Sequence, residues 1–212
     1  MIHVPREEAL RYLGYRGGAQ PDQATAALLE ARIRAVEEAA DPRWTSLELP
    51  LTLRPGGVEL GDWAIHSEKL RAHLEGCTAA LLFGATLGVE VDRLIARSAA
   101  GQVARAAVDQ AAAAALIEAV CDHACHQLAG QHPGWYLRPR FSPGYGDFPL
   151  SAQPQLLGLL DAPRKIGLTA TDAHLLAPVK SVTAVIGLAR TPGKCHTGGC
   201  AICSKTDCAF RR

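Results

Sequence analysis

The chain has 212 residues, with 22 Lys and Arg against 21 Asp and Glu, for a formal charge of +1. That length holds one large domain or two small ones and can bury a sizeable core. Near-neutral charge removes the electrostatic basis for a general nucleic-acid or anionic-membrane binder. No window approaches the ~20 consecutive apolar residues that a bilayer-spanning helix needs. The opening residues, MIHVPREEALRYLGY, carry charges where a signal peptide has its apolar core, so a soluble, cytoplasmic protein is expected.

Pro5 can open a helix, and Ala9, Leu10 and Leu13 recur at helical spacing before Gly14, Gly17 and Gly18 end it. A second helix is predicted from about Gln23 to Ala40, with Leu29, Ile33 and Val36 on one face and Asp41-Pro42 as its stop. Leu47, Leu49, Leu51 and Leu53 alternate with polar residues or Pro50, which predicts a strand with Pro50 at an edge. The turn Arg54-Pro-Gly-Gly57 then returns Val58 to Leu60 as a hairpin partner. Ser67 followed by Glu68 starts a short helix that Gly76 stops. Thr78 to Phe83 reads as a buried strand. A helix near residues 89–98 and a long alanine-rich one near 103–129 follow. The run Ala111 to Ala115 leaves little side chain between that helix and its neighbours, as close packing requires.

The second half is less regular. Residues 132–149 contain four prolines, three glycines and five aromatics, the composition of an ordered functional loop. Gln155 to Leu160 reads as helix, Lys165 to Thr169 as strand, and Ser181 to Ala189 as a strong strand. Helices interleaved with short strands and hairpins predict an α+β fold, a single domain with a mainly antiparallel or mixed sheet and flanking helices. The expected domain spans residues 1–190, followed by a cysteine-rich C-terminal loop over 191–212. Neither a G-x-G-x-x-G fingerprint nor a G-x-x-x-x-G-K-[ST] loop is present.

Arg140-Phe-Ser-Pro-Gly144-Tyr145 is the first constellation with chemical content. Proline before glycine fixes a turn, and glycine lets the backbone approach a ligand. An arginine fork can grip a carboxylate, and a tyrosine ring can stack on or hydrogen-bond a flat group. A purely structural loop explains the same residues equally well. On the long helix, Asp122-His123-x-x-His126 accompanies Cys121 and Cys125; helical arithmetic puts the histidines about 300° apart, which favours a surface or structural role over a metal site.

The Arg-x-x-x-Gly-Tyr pattern resembles the S-adenosylmethionine-binding motif in the reactivation domain of cobalamin-dependent methionine synthase. The stretch from Thr169 through Pro178, Ser181 and Thr183 resembles that family's T-x-x-x-M-x-P-x-x-S-V-S block, in the same order and spacing. Upstream, Ala85-Thr-Leu-Gly88, Asp92-Arg-Leu-Ile95 and the helix with Glu118 look like small stand-alone relatives of the domain. The resemblance implies that Arg140, Gly144 and Tyr145 bind S-adenosylmethionine. Two positions depart from the family pattern. Gly134 stands where the large enzymes carry an acidic residue six positions before the motif arginine, and Ile186 stands where they carry a tyrosine. Asp172-Ala-His174-Leu-Leu-Ala177 approximates the D-x-H-x-x-G cobalamin motif, but Ala177 replaces its glycine, so no resident cobalamin is expected.

The second constellation is Cys195-x4-Cys200-x2-Cys203-x4-Cys208. Seven cysteines in all, an odd number with no export signal, argue against a disulfide framework. Four thiolates so close together can wrap one small inorganic centre, a [4Fe-4S] cluster or a zinc ion, or remain free redox thiols. The resemblance implies reductive reactivation in trans. The partner would be the cobalamin-binding domain of a methionine synthase or related corrinoid methyltransferase, with an electron donor. The alternative is a non-catalytic S-adenosylmethionine-binding or docking module with a zinc-stapled tail.

Overall fold

The computed structural model describes residues 2–16 and 18–192. The four cysteines at 195, 200, 203 and 208 lie outside the described residues. Among the described residues, no helix is long and apolar enough to cross a membrane.

Helix α1 (Arg6–Tyr12) begins after Pro5, and α2 (Gln23–Ala39) after Asp22, whose carboxylate accepts the Thr25 N–H at 2.8 Å. That bond satisfies one of the donors a helix start leaves open. Strand β1 (Arg43–Arg54) follows at once. Its first eight residues pair antiparallel with β4 (Cys77–Thr86), and its last four with β2 (Gly57–Leu60). Pro50 sits where the pairing changes, its carbonyl accepting from the Gly61 N–H at 3.0 Å. A third strand, β3 (Trp63–His66), pairs with β2 through the Gly61-Asp62 turn. Helix α3 (Glu68–His73) is capped by Ser67, as its sequence predicts.

After β4 come α4 (Val89–Ala99) and the 29-residue α5 (Val103–Gln131). Strand β5 (Tyr136–Leu137), helices α6 (Gln153–Leu160) and α7 (Ala162–Ile166), the small hairpin β6 (Thr169–Ala170) and β7 (Leu176–Ala177), and β8 (Ser181–Ala189) follow among the described residues. The main sheet runs β3-β2-β1-β4-β8-β5, antiparallel at every pair, so the α+β expectation holds.

Alternation along β4 and β8 divides the interior. Leu81, Phe83, Ala85, Ala184, Ile186 and Leu188 face a core formed with α1, α2, α4 and α5. Ala80, Leu82 and Val185 face a second core with Leu47, Leu49, Leu70, Phe148, Leu156 and Leu160. Ala112, Ala113 and Ala115 are buried between the long helix and its neighbours, the close packing that the alanine run predicts. The helical core also encloses an ion pair that the sequence does not announce. Arg32 on α2 donates to Asp109 on α5 through Nε at 2.5 Å and Nη2 at 3.0 Å, with both side chains buried.

One predicted element is corrected. Residues 165–169 are not a strand, because α7 runs through Ile166 and only Thr169–Ala170 is extended. Ile166, Leu168 and Ala170 do alternate, but Pro163 sits at the start of a helical turn and Gly167, at φ +68°, ends it.

Candidate functional site

Residues 138–148 pack along β8 and are held there by backbone bonds. Arg138 N–H donates to the Gly187 carbonyl at 2.8 Å, while Phe141 and Val185 exchange bonds of 3.0 and 2.9 Å. Phe148 is fully buried in the second core and stacks on Phe141 at 6.4 Å between centroids. Phe141 meets His73 at 5.0 Å and the edge of Tyr145 at 6.5 Å. The loop is thus an ordered structure on an apolar root, as its aromatic content suggests.

Asp147 fastens the loop to α3. Its carboxylate accepts from Ser67 Oγ, from the Glu68 N–H at 2.9 Å and from the Lys69 N–H at 3.2 Å. The Ser67 hydroxyl, foremost, with these backbone donors holds the Asp147 carboxyl below its ordinary value of 3.8. A carboxyl depressed in the folded state contributes stability above its unfolded pKa and loses it as pH falls through the folded one. An Asp147→Asn protein should therefore be less stable than the wild type at pH 7. The gap should close below about pH 4, as read by parallel thermal melts from pH 7 to pH 2. A constant gap across that range would refute the role of the charge.

A cavity of about 630 Å³ opens between this loop, the start of β8 and one face of α5. Glu118, Asp122 and Cys125 line it from the helix, at i, i+4 and i+7, so one helical stripe faces it. Leu137 to Ser142, Tyr145 and Val182 complete the wall. Arg140 reaches across to the helix. Its Nη1 donates to Asp122 Oδ1 at 2.8 Å and to Cys125 Sγ at 3.6 Å, and its Nη2 donates to Glu118 Oε2 at 2.7 Å. Burial by itself would pull the guanidinium down. Cys121, Asp122, Cys125 and Glu118 more than offset it, so Arg140 stays charged and is raised above its ordinary value. Burial also pushes the Cys121 thiol up to about 12, which keeps it neutral.

An arginine has five N–H donors. Three are engaged here, leaving the Nε–H and one Nη2–H without a partner among the described residues. The carboxylates thereby hold the fork in place while two of its donors stay available to a ligand.

Arg140 and Tyr145 line the same cavity, with Tyr145 65% exposed. Gly144 stands behind the wall. Its N–H donates to the Phe148 carbonyl at 2.8 Å, its φ is +93°, and a Cβ there would lie 2.7 Å from Leu150 Cδ1. Gly144→Ala should therefore cost about 1–3 kcal/mol through backbone strain alone. Denaturant unfolding reads that cost, and a loss below about 0.5 kcal/mol would show that the turn relaxes.

The two departures from the family motif have clear settings. Gly134, at φ +77°, turns the chain into β5, and Ile186 is buried in the helical core. The acidic groups beside the guanidinium come instead from α5. The spacing of Glu118 and Asp122 was visible in the sequence, but nothing there aimed it at Arg140. His123 and His126 are exposed, in keeping with a surface role. Among the described residues no group of histidine, cysteine or carboxylate side chains is arranged to hold a metal ion.

The second sequence block is architectural. Ser181 Oγ lies 2.8 Å from Thr86 Oγ1 and 2.7 Å from the Pro178 carbonyl, and Val179 N–H donates to Asp92 Oδ2 at 2.7 Å. Thr183 donates to buried Gln153 at 2.6 Å. These bonds fix the start of β8, and with it Val182, against β4 and α4.

The result is an α+β domain, an antiparallel sheet with helices packed on both faces and a cleft beside one edge. Its fold is similar to that in the crystal structure of the MetH reactivation domain bound to AdoHcy, with a TM-score of 0.64. The match covers 88% of this chain and 77% of that one at 15% identity. No family model and no curated protein matches the sequence.

Proposed function

We propose that the chain binds S-adenosylmethionine in the 630 Å³ cavity and serves reductive reactivation of a corrinoid methyltransferase, a cobalamin-dependent methionine synthase or a relative, in trans. One observation carries this reading. The Arg-x-x-x-Gly-Tyr residues Arg140 and Tyr145 line one cavity, on a fold similar to a reactivation domain whose crystal structure holds AdoHcy. The cavity falls within the roughly 300–1,000 Å³ typical of small-ligand sites.

Its donors and acceptors suit the methyl donor. The two remaining N–H groups of Arg140 match a ligand carboxylate, and Glu118 and Asp122 offset the cationic ammonium and sulfonium. Tyr145 and Phe141 offer aromatic surface to an adenine. Such a site works by positioning: it holds the sulfonium methyl toward the cobalt of a docked partner, and no acid–base dyad is required. In the overall reaction cob(II)alamin gains one electron from a low-potential donor. The resulting cob(I)alamin takes the methyl, giving methylcobalamin and S-adenosylhomocysteine. Cys195, Cys200, Cys203 and Cys208 would hold a [4Fe-4S] centre as the electron entry, or a zinc ion if they only staple the chain.

The test is anaerobic purification with iron, sulfide and zinc analysis, then calorimetric titration with S-adenosylmethionine. Incubation with a cob(II)alamin-loaded methyltransferase and a reductant follows. Ligand binding with formation of methylcobalamin supports the reading. Binding without turnover favours the non-catalytic module over reactivation, and no binding overturns the proposed ligand site.

A further inference from the structure

Four residues with formal charges line the cavity: Glu118, Asp122, Arg138 and Arg140. Arg138 carries its charge away from the helix stripe. Its stem crosses β8 at Gly187, where a Cβ would lie 3.0 Å from Arg138 Cγ, and its Nη2 donates to the Glu75 carbonyl at 3.2 Å. Gly187 alternates with Val185 and Ala189, which face the second core, whereas α5 packs on the opposite face of the sheet. The stripe therefore sets two carboxylates against the one guanidinium of Arg140, a surplus of one negative charge.

That surplus is open to a ligand. Glu118 gives Oε2 to Arg140 and Asp122 gives Oδ1, so Glu118 Oε1 and Asp122 Oδ2 have no partner among the described residues. Both stand at the cavity wall, with Asp122 68% exposed. In S-adenosylmethionine the carboxylate and ammonium cancel, and the sulfonium leaves one positive charge. Cation and surplus then neutralise each other. S-adenosylhomocysteine, a thioether, lacks that charge and leaves the second carboxylate unanswered.

We infer that Asp122, with Glu118, selects the sulfonium ligand over its neutral thioether product. This rests on reading the cavity as the S-adenosylmethionine site. Methyl transfer breaks the S–CH3 bond with its electron pair left on sulfur, and the Co–CH3 bond forms with the pair of cob(I)alamin. The charge that α5 reads disappears in that step. The site thus loosens its hold on the product as the product forms.

Calorimetric titration of the full chain near neutral pH with S-adenosylmethionine, S-adenosylhomocysteine and sinefungin tests the selection. Sinefungin carries an amine cation where the sulfonium stands, which separates charge from the bulk of the methyl group. Both cationic ligands should bind about three- to five-fold tighter than S-adenosylhomocysteine, the upper range for charge pairs of this exposure. Raising salt from about 0.05 to 0.5 M should narrow the gap. Asp122→Asn keeps an oxygen that accepts from Arg140 and should bring the ratio below about two-fold, chiefly by weakening the cations. Glu118→Gln should act in the same direction, and thermal melts check that both variants are folded. Equal affinity for the three ligands, a preference for S-adenosylmethionine that sinefungin does not share, or a ratio that survives both substitutions overturns the selection and leaves the ligand site standing. Failure of the wild type to bind any of the three removes the ligand reading as well.

Discussion

Replacing Arg140 by alanine should weaken S-adenosylmethionine binding by roughly 30-fold to a few thousand-fold, the equivalent of about 2–5 kcal/mol for one member of a hydrogen-bonded charge pair. The guanidinium sits at the cavity wall with two donors facing no partner among the described residues, so in the proposed site its loss would strike the ligand carboxylate directly. The fold should survive. Glu118 is 37% exposed and Asp122 68%, so both rehydrate when Arg140 is gone, and pairs of this exposure contribute at most about 1 kcal/mol. Arg140→Lys should fall between wild type and alanine, because a point charge cannot span Glu118, Asp122 and a ligand with one planar fork. Calorimetric titration beside a thermal melt measures both quantities. Undiminished binding by a folded Arg140→Ala protein would remove Arg140 from the ligand site.

Periodicity made the sheet legible wherever one strand face meets a core. The alternation of Leu47 to Leu53, the apolar runs at 78–83 and 181–189, and the capping serine at 67 all report burial that the chain itself encodes. Strand β3 was also within reach, because Gly61-Asp62 between two apolar pairs is a two-residue hairpin signal. Strand β5 and the hairpin β6–β7 were not legible. Strands of two residues are set by neighbours distant in sequence, Leu188 and Ala189 for β5. The helical turn at 162–166 hid behind an alternation that Pro163 and Gly167 override.

The site divides the same way. Arg140 and Tyr145 stand in a local motif, and the structure puts both on the cavity wall. Glu118, Asp122 and Cys125 lie 15 to 22 residues upstream on another element, and only tertiary structure turns their stripe toward the guanidinium. The role of Gly144 shifts with that knowledge. Its positive φ serves the turn and the contact with Leu150, not the cavity wall.

Removal of Asp109 should be the most damaging substitution to stability, at about 3–5 kcal/mol, because it strands a buried charge. Arg32, on α2, is only 5% exposed, and its Nε and Nη2 both donate to Asp109 on α5. For a chain of this size the loss corresponds to a fall of roughly 6–20 °C in Tm. The double substitution Arg32→Met with Asp109→Leu should return stability to near the wild-type value, since neither the desolvation cost nor an orphan charge remains. A single variant that loses less than about 1 kcal/mol would mean that the pair is hydrated in solution. The comparison also separates folding from binding. Asp109 lies two and a half helical turns before Glu118 on α5 and does not line the cavity. The double variant should bind S-adenosylmethionine as the wild type does, while Asp109→Ala loses binding only as it unfolds. Weakened binding by a fully folded double variant would instead show that the ion pair sets the position of α5, and with it the stripe of Glu118, Asp122 and Cys125 that holds Arg140.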